Sequence, residues 1–329
     1  MARAWHLVSH PEGMPQPRNF ALVDMALPPL EEGMVHVRNQ WLSVDPYMRG
    51  RMDPGDSYIP PFTLNEPMEG TAVGTVVESR APGLKPGDQV LHMLGWRDEA
   101  VGPAEAFEKL PDLGVPPESW LGVMHGNGAT AYFGLLEAAK AKAGDVMFVS
   151  AAAGGVGSAV VQIGKVLGMT VIGSAGGAAK CDFLRSLGAD AVIDYKAPGS
   201  MDDKLKAAAP DGIDVYFDNV GGDHLDAALF NAKYGARFSL CGMIEGYNTS
   251  EPTPMRHLLL AVQRGVTMQG FLLPAYFDRL GEFREVMAGW MREGKVRSCE
   301  TVFDGLDRTC DAFLGLFTGA NSGKMAVRL

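Results

Sequence analysis

Two kinds of hydrophobic patterning divide the chain. In the first third, short runs that alternate or are β-branched recur, among them Met34–Leu42, Gly70–Glu78 and Gln89–Leu94. Pro and Gly punctuate them at Pro28-Pro29, Pro60-Pro61, Pro82-Gly83, Pro86-Gly87 and Pro116-Pro117. Short strands bounded by turn signals predict a distorted barrel or sandwich. From Gly126–Ala139, which reads as a helix, the period changes. Apolar strand-like runs at Val146–Ser150, Met169–Ser174, Ala191–Tyr195, Ile213–Asn219, Ala236–Met243 and Val266–Leu273 now alternate with helical patterns. The helices fall after Gly154, then at Ala178–Leu187, Asp202–Ala209, His224–Lys233, Pro254–Arg264 and Ala275–Glu293. This alternation predicts an α/β fold with a doubly wound parallel sheet. Lys295–Leu329 reads as strand, helix (Gly305–Phe317) and strand (Lys324–Leu329) and is expected to return to the first domain.

The stretch Asp145–Gly157, DVMFVSAAAGGVG, organises the second part. A strand, a glycine turn and a helix follow one another, with Ala152 standing at the first position of G-x-G-x-x-G. In that context Gly154 lets the main chain approach a pyrophosphate and Gly157 lets the helix sit tightly on the strand. The amides of Gly155, Val156 and Gly157 at the helix start would face the anion. Two other readings compete. Val146–Gly164 has no charged residue over 19 positions, long enough for a membrane helix, although its four glycines, two serines and one glutamine weigh against that. An ordinary tight turn that binds nothing is the other.

Composition narrows the field. The chain has 329 residues, 47% hydrophobic and 21% charged, with net charge −10. That is an ordered protein with room for two cores, and its acidity disfavours nucleic acid and anionic membrane as partners. The start, MARAWHLVSHPEG, has no apolar segment of the secretory kind, and the Asn248-Thr249-Ser250 glycosylation triplet is read as chance. The four cysteines, Cys181, Cys241, Cys299 and Cys310, match no C-x-x-C or zinc-ribbon spacing. A cytoplasmic protein is expected.

The second strand ends in Gly173-Ser174-Ala175-Gly176-Gly177, without the acid that usually accepts from an NAD ribose. Lys180 follows in the next helix's first turn. It is either a solvated surface lysine or a cation aimed at a 2′-phosphate, which would make the cofactor NADP(H). Ser174 and the Gly176-Gly177 amides are further candidate donors. Tyr195, Asn219, Cys241-Gly242 and Phe271–Leu273 stand at the ends of the later strands, where ordinary packing or turn roles compete with ligand contact.

Ser150–Gly157 (SAAAGGVG), Lys180, Asp194–Lys196 (DYK), Asp218–Gly222 (DNVGG), Cys241–Asn248 (CGMIEGYN), Val44–Arg49 (VDPYMR) and Thr130–Leu136 (TAYFGLL) together resemble the zinc-independent medium-chain dehydrogenase/reductases. Within that family they resemble the prostaglandin/leukotriene reductase branch, which includes double-bond and curcumin reductases. The resemblance implies a GroES-like barrel, residues 1–122 with 297–329, and a Rossmann domain, residues 123–296. It implies a homodimer that reduces the C=C bond of α,β-unsaturated ketones or aldehydes with NADPH. Carried over by position, it places Gly154, Gly155, Val156, Gly157, Lys180, Tyr195, Asn219, Cys241, Gly242, Met243, Ile244, Tyr247, Phe271, Leu272, Leu273 and Asn321 at the cofactor. The zinc-using relatives need an early Cys or His and a four-cysteine lobe. This chain has no cysteine before Cys181, so no zinc is expected.

Without a metal, charge developing on the carbonyl oxygen needs hydrogen-bond donors. Tyr247 is the first candidate, against a bland turn with an exposed aromatic. Tyr47 is expected either to line the substrate pocket or to pack in the core after Asp45-Pro46. His92 and His125 are assigned no role. Quinone reduction is the alternative activity. A cofactor-binding sensor or structural protein without turnover is the non-enzyme alternative.

Overall fold

The computed structural model describes residues 1–55, 57–249, 251 and 253–329. It divides into two compact units, residues 1–121 with 300–321 and 325–329, and residues 122–299 with 322–324. The first boundary falls one residue before the expected one, the return falls three residues later, and the short piece 322–324 belongs to the second unit.

In the first unit, Met34–Ser43 is the central strand. It pairs antiparallel with Ala72–Ser79, Glu99–Pro103 and Lys324–Arg328. Register shifts at His36/Val37 and Asn39/Trp41 are bulges, which bend a strand enough to curl its sheet. Leu42, Val44, Met48, Trp96 and Phe313 fill the core beneath it. Burial pushes the His92 imidazole down to about 3, with a smaller push from the Arg97 charge. The ring is therefore neutral. It accepts from the Leu94 N–H (3.1 Å) and packs edge-on to Phe107, which is a structural role.

The second unit carries a six-stranded sheet in which every registered pair is parallel. Its strands are Val146–Val149, Thr170–Ala175, Ala191–Asp194, Ile213–Asp218, Ala232–Leu240 and Thr267–Gly270. Numbered in chain order, their spatial order is 3-2-1-4-5-6. The order reverses between strands 1 and 4, the point at whose carboxyl ends sheets of this kind form a ligand crevice. Phe148, Tyr216 and Phe238 pack ring against ring across the three central strands and are fully buried.

Val146–Gly164 is strand, turn and helix rather than one span, which removes the membrane-helix reading. Among the described residues no helix is long and apolar enough to cross a membrane.

Other elements depart from expectation for local reasons. Ala275–Glu293 is not one helix: a tight turn at Leu273–Arg279, with Pro274 in its first positions, precedes a helix at Leu280–Arg292. The helix expected from Pro254 begins at Leu258, because Arg256 and the His257 amide are held on Asp223 and Asp226 of another helix. After Phe133 the helix of Gly126 widens to a π turn, where Gly134 leaves room for the Phe217 and Phe271 rings. The sixth strand is exposed at all four positions. The third residue of the Asn248-Thr249-Ser250 triplet lies outside the described residues.

Candidate functional site: a dinucleotide crevice at the carboxyl edge of the parallel sheet

Strand 1 leaves the sheet through Ser150 and turns on Ala151, whose φ of 44° is left-handed. An alanine there costs about 1 kcal/mol. The turn is closed by Gly154 N–H to Ala151 O (2.9 Å) and tied to strand 2 by Ala152 N–H to Ser174 O (2.9 Å). Helix Gly155–Val166 then starts with Gly154 as N-cap and no side-chain cap bond, so its first-turn N–H groups are open to an anion. Gly157 has no alternative. A Cβ there would lie 2.3 Å from Ala151 O and 2.7 Å from Ala152 Cα. At Gly154 a Cβ would meet only Ala151 O, at 3.3 Å, and the backbone is extended. The turn itself therefore does not require a glycine at 154.

On one side of this turn are strands 2 and 3. Gly177, with φ 92°, starts the helix that carries Lys180, and its N–H is held by the Asp194 carboxylate (3.0 Å). Those two amide bonds, from Gly177 and from Lys196, keep the Asp194 carboxyl below its usual range. Tyr195 is half-exposed, and its ring stands edge-on to His224. Burial lowers the Lys180 pKa, and the Lys196 charge lowers it further. Ser174, at the end of strand 2, is fully buried, and its hydroxyl has no partner among the described residues.

On the other side are strands 4 and 5. Asp218 is the hub, and nothing in the sequence marked it as one. Its Oδ1 accepts from Ser150 Oγ (3.1 Å), Tyr216 OH (2.7 Å), Val220 N–H (3.0 Å) and Gly221 N–H (2.8 Å). Burial nevertheless raises its carboxyl pKa. Its main-chain oxygen accepts from the Cys241 and Gly242 amides (2.9 and 3.1 Å), which fastens the loop after strand 5 to the loop after strand 4. Asn219 donates its Nδ2 to Ser150 O (2.8 Å), and its own oxygen accepts from Ile244 N–H (3.2 Å). Burial pushes the Cys241 thiol up to about 12, so it is no nucleophile. Met243 is exposed and lies against Gly221. Tyr247 follows the turn Ile244–Gly246, and its hydroxyl lies 3.0 Å from where a Cβ on Gly242 would be and 4.0 Å from that point lies Asn219 O. Beyond them, Phe271 packs on Phe217 and Gly134, while Leu272 is exposed and Leu273 half-buried.

The return piece also meets the turn. Gly323 N–H donates to Ala153 O (2.8 Å), and Gly154 and Gly323 form a bridge. Asn321, buried, is the residue just before that piece and belongs to the first unit.

Also in the first unit, Asp45 caps the short turn Pro46–Met52, and Tyr47 packs partly buried against the barrel core. Burial, then the Asp45 charge, raises its pKa. Arg51 and Phe62 line a half-open cleft of about 380 Å³, completed by Glu69 and Met93. Arg51 is buried, bonded to Pro60 O (2.7 Å) and Glu69 (2.8 Å), with its guanidinium 4.1 Å above the Phe62 ring.

The edge thus runs, in strand order, from a tyrosine and two lysines through an uncapped glycine turn to Asn219 and Tyr247. It offers cations and amides for phosphates at one end and a phenol at the other, the donor set an extended phosphorylated dinucleotide needs.

Comparison with known proteins agrees with this architecture. Residues 3–110 match a family model described as the N-terminal domain of oxidoreductase, and residues 155–291 match one described as zinc-binding dehydrogenase. The NADPH-dependent curcumin reductase of Escherichia coli (strain K12) is 40% identical over 99% of this chain and 96% of its own. The 2-alkenal reductase (NADP(+)-dependent) of Nicotiana tabacum is 40% identical over 89% of this chain and 86% of its own. The crystal structure of CurA in complex with NADPH from Vibrio vulnificus superposes with TM-score 0.93 at 41% identity, covering 99% of this chain and 98% of that one. As for the metal in the second description, among the described residues no group of three or more His, Cys, Asp or Glu could hold an ion. The donor set does not fit zinc.

Proposed function

Because the chain belongs to the zinc-independent medium-chain dehydrogenase/reductases, in the double-bond reductase branch with the curcumin and alkenal reductases, we propose that it reduces the C=C bond of α,β-unsaturated ketones and aldehydes with NADPH. NADPH, when bound, supplies the hydride, which goes to the β-carbon of the substrate.

The residues fit that cofactor. Gly155, Val156 and Gly157 present open amides, Lys180 and Tyr195 stand at the adenosine end, and Asn219 with Cys241–Ile244 lines the opposite end. The observation that carries the reading is Tyr247. Its phenol lies over Gly242, one strand from Asn219, on the same edge as the glycine turn. There it donates to the carbonyl oxygen of the enone as negative charge accumulates on it. That charge is stabilised without a metal, in a crevice where each hydrogen bond counts for more than in water. Tyr47, Leu272, Leu273 and Asn321 complete the reading as residues at the substrate and cofactor.

The test is NADPH oxidation with three substrates. Turnover is expected with a 2-alkenone, weaker turnover with a benzoquinone, and none for a saturated secondary alcohol with NADP+. Preference for the quinone would give the activity to quinone reduction, and binding without turnover would leave only a sensor.

The partner we propose is a second copy. Among the described residues the sixth strand is the outer strand of its sheet and is exposed at every position, and Leu259 and Val262 of the Leu258–Gln263 helix that precedes it in the chain are 67% and 80% exposed. A two-fold axis lets such an edge pair with itself and cover that apolar face. A monomeric mass in solution would remove this part.

A further inference from the structure

Two lysines, not one, face the loop that ends strand 2. A Cβ on Gly176 would lie 2.7 Å from the Tyr195 hydroxyl and 2.9 Å from Lys196 Cε, so both side chains fold over that glycine. Lys180 stands in the first turn of helix Ala178–Ser186, whose N-cap is the neighbouring Gly177, and its pKa is lowered by burial and then by the Lys196 charge. Neither ammonium makes a hydrogen bond or an ion pair among the described residues. The carboxylate at hand is Asp194. Its Oδ1 is taken by the Gly177 and Lys196 amides (3.0 and 2.9 Å), which hold its pKa below the usual range, with smaller contributions from the Lys204 and Lys196 charges. Lys204 points elsewhere, with its Nζ on the main-chain oxygens of Tyr195 and Ala197.

Two like charges near one loop, with no anion bonded to either, repel. A ligand that brings one in converts the repulsion into attraction. A phosphate monoester carries about −1.5 to −2 charge and three strong acceptor oxygens, enough for both ammoniums and a phenol. A ribose hydroxyl offers neither.

We propose that Lys196 is a second binding cation for the 2′-phosphate of NADPH, sharing it with Lys180, and that the pair sets the preference over NADH. The inference rests on the NADPH reading above. It adds a residue which, at a strand end after a tyrosine, looks like ordinary solvated charge.

The test measures binding to the full chain of NADPH, NADH, adenosine 2′,5′-bisphosphate and 5′-AMP for the wild type, Lys196→Gln, Lys196→Arg, Lys180→Gln and the double variant Lys180→Gln with Lys196→Gln. Lys196→Gln should weaken NADPH and the bisphosphate by about tenfold and leave NADH and 5′-AMP within about twofold. Lys196→Arg should restore most of the loss. The Lys180→Gln and Lys196→Gln effects should fall short of additive in the double variant, since both cations share one anion. Bisphosphate affinity within twofold of wild type in Lys196→Gln would overturn the proposal, and so would equal losses for NADPH and NADH. A wild type that binds the bisphosphate no better than 5′-AMP would instead overturn the NADPH reading beneath it.

Discussion

Tyr247→Phe lowers kcat for a 2-alkenone about a hundredfold while the NADPH dissociation constant stays within about threefold. The loop that carries Tyr247 is fixed by main-chain bonds from Cys241, Gly242, Ile244 and Glu245 to Asp218, Asn219 and Val220. Removing one phenol oxygen leaves all of these in place. What is lost is a donor to the oxygen that becomes an enolate. One such donor is worth about 2.7–4 kcal/mol, and its loss shows in kcat because the bond strengthens only as charge develops. Steady-state kinetics with a fluorescence titration of NADPH separate the two quantities. An unchanged kcat would take Tyr247 out of the reaction, and an equal loss of NADPH affinity would make it a cofactor contact only.

The largest effect on binding is expected at Gly157. In Gly157→Ala the new methyl meets Ala151 O at 2.3 Å, Ala152 Cα at 2.7 Å and Ala152 C at 2.9 Å, all backbone. No side chain can yield, so either the turn opens or the helix lifts from strand 1. Each separates the helix amides from the phosphates, and NADPH affinity should fall by at least a hundredfold, about 2.7 kcal/mol. Gly154→Ala is the companion. Its backbone accepts a side chain, so thermal stability should change little and any lost affinity reports the methyl standing toward the ligand. Calorimetry on both variants distinguishes the cases. Wild-type NADPH affinity in Gly157→Ala would mean that the phosphates bind elsewhere.

The parallel sheet was legible because its central strands, Val146–Val149, Thr170–Ala175 and Ile213–Asp218, are largely buried and read as short continuous apolar runs, each followed by a helical period. Legibility failed where tertiary contact overrode local preference. Leu273–Arg279 turns tightly behind Pro274, and Arg256 and His257 are spoken for by Asp223 and Asp226 before a helix can include them. The glycine turn and Lys180 could be found by spacing. Asp218 could not, since its four donors come from segments as far apart as Ser150 and Gly221. Lys196 was visible as a letter but not as a charge, because only the fold brings it over Gly176, next to the start of the helix that carries Lys180.

The most direct measurement of the chemistry is to follow the hydride itself. Incubation of the enzyme with NADPH deuterated at C4 of the nicotinamide, each epimer in turn, and a 2-alkenone, read by proton and deuterium NMR, locates the label. The account predicts deuterium on the β-carbon of a saturated ketone from one epimer, with the carbonyl intact. Deuterium on the carbonyl carbon of an allylic alcohol, or no transfer from either epimer, would contradict it.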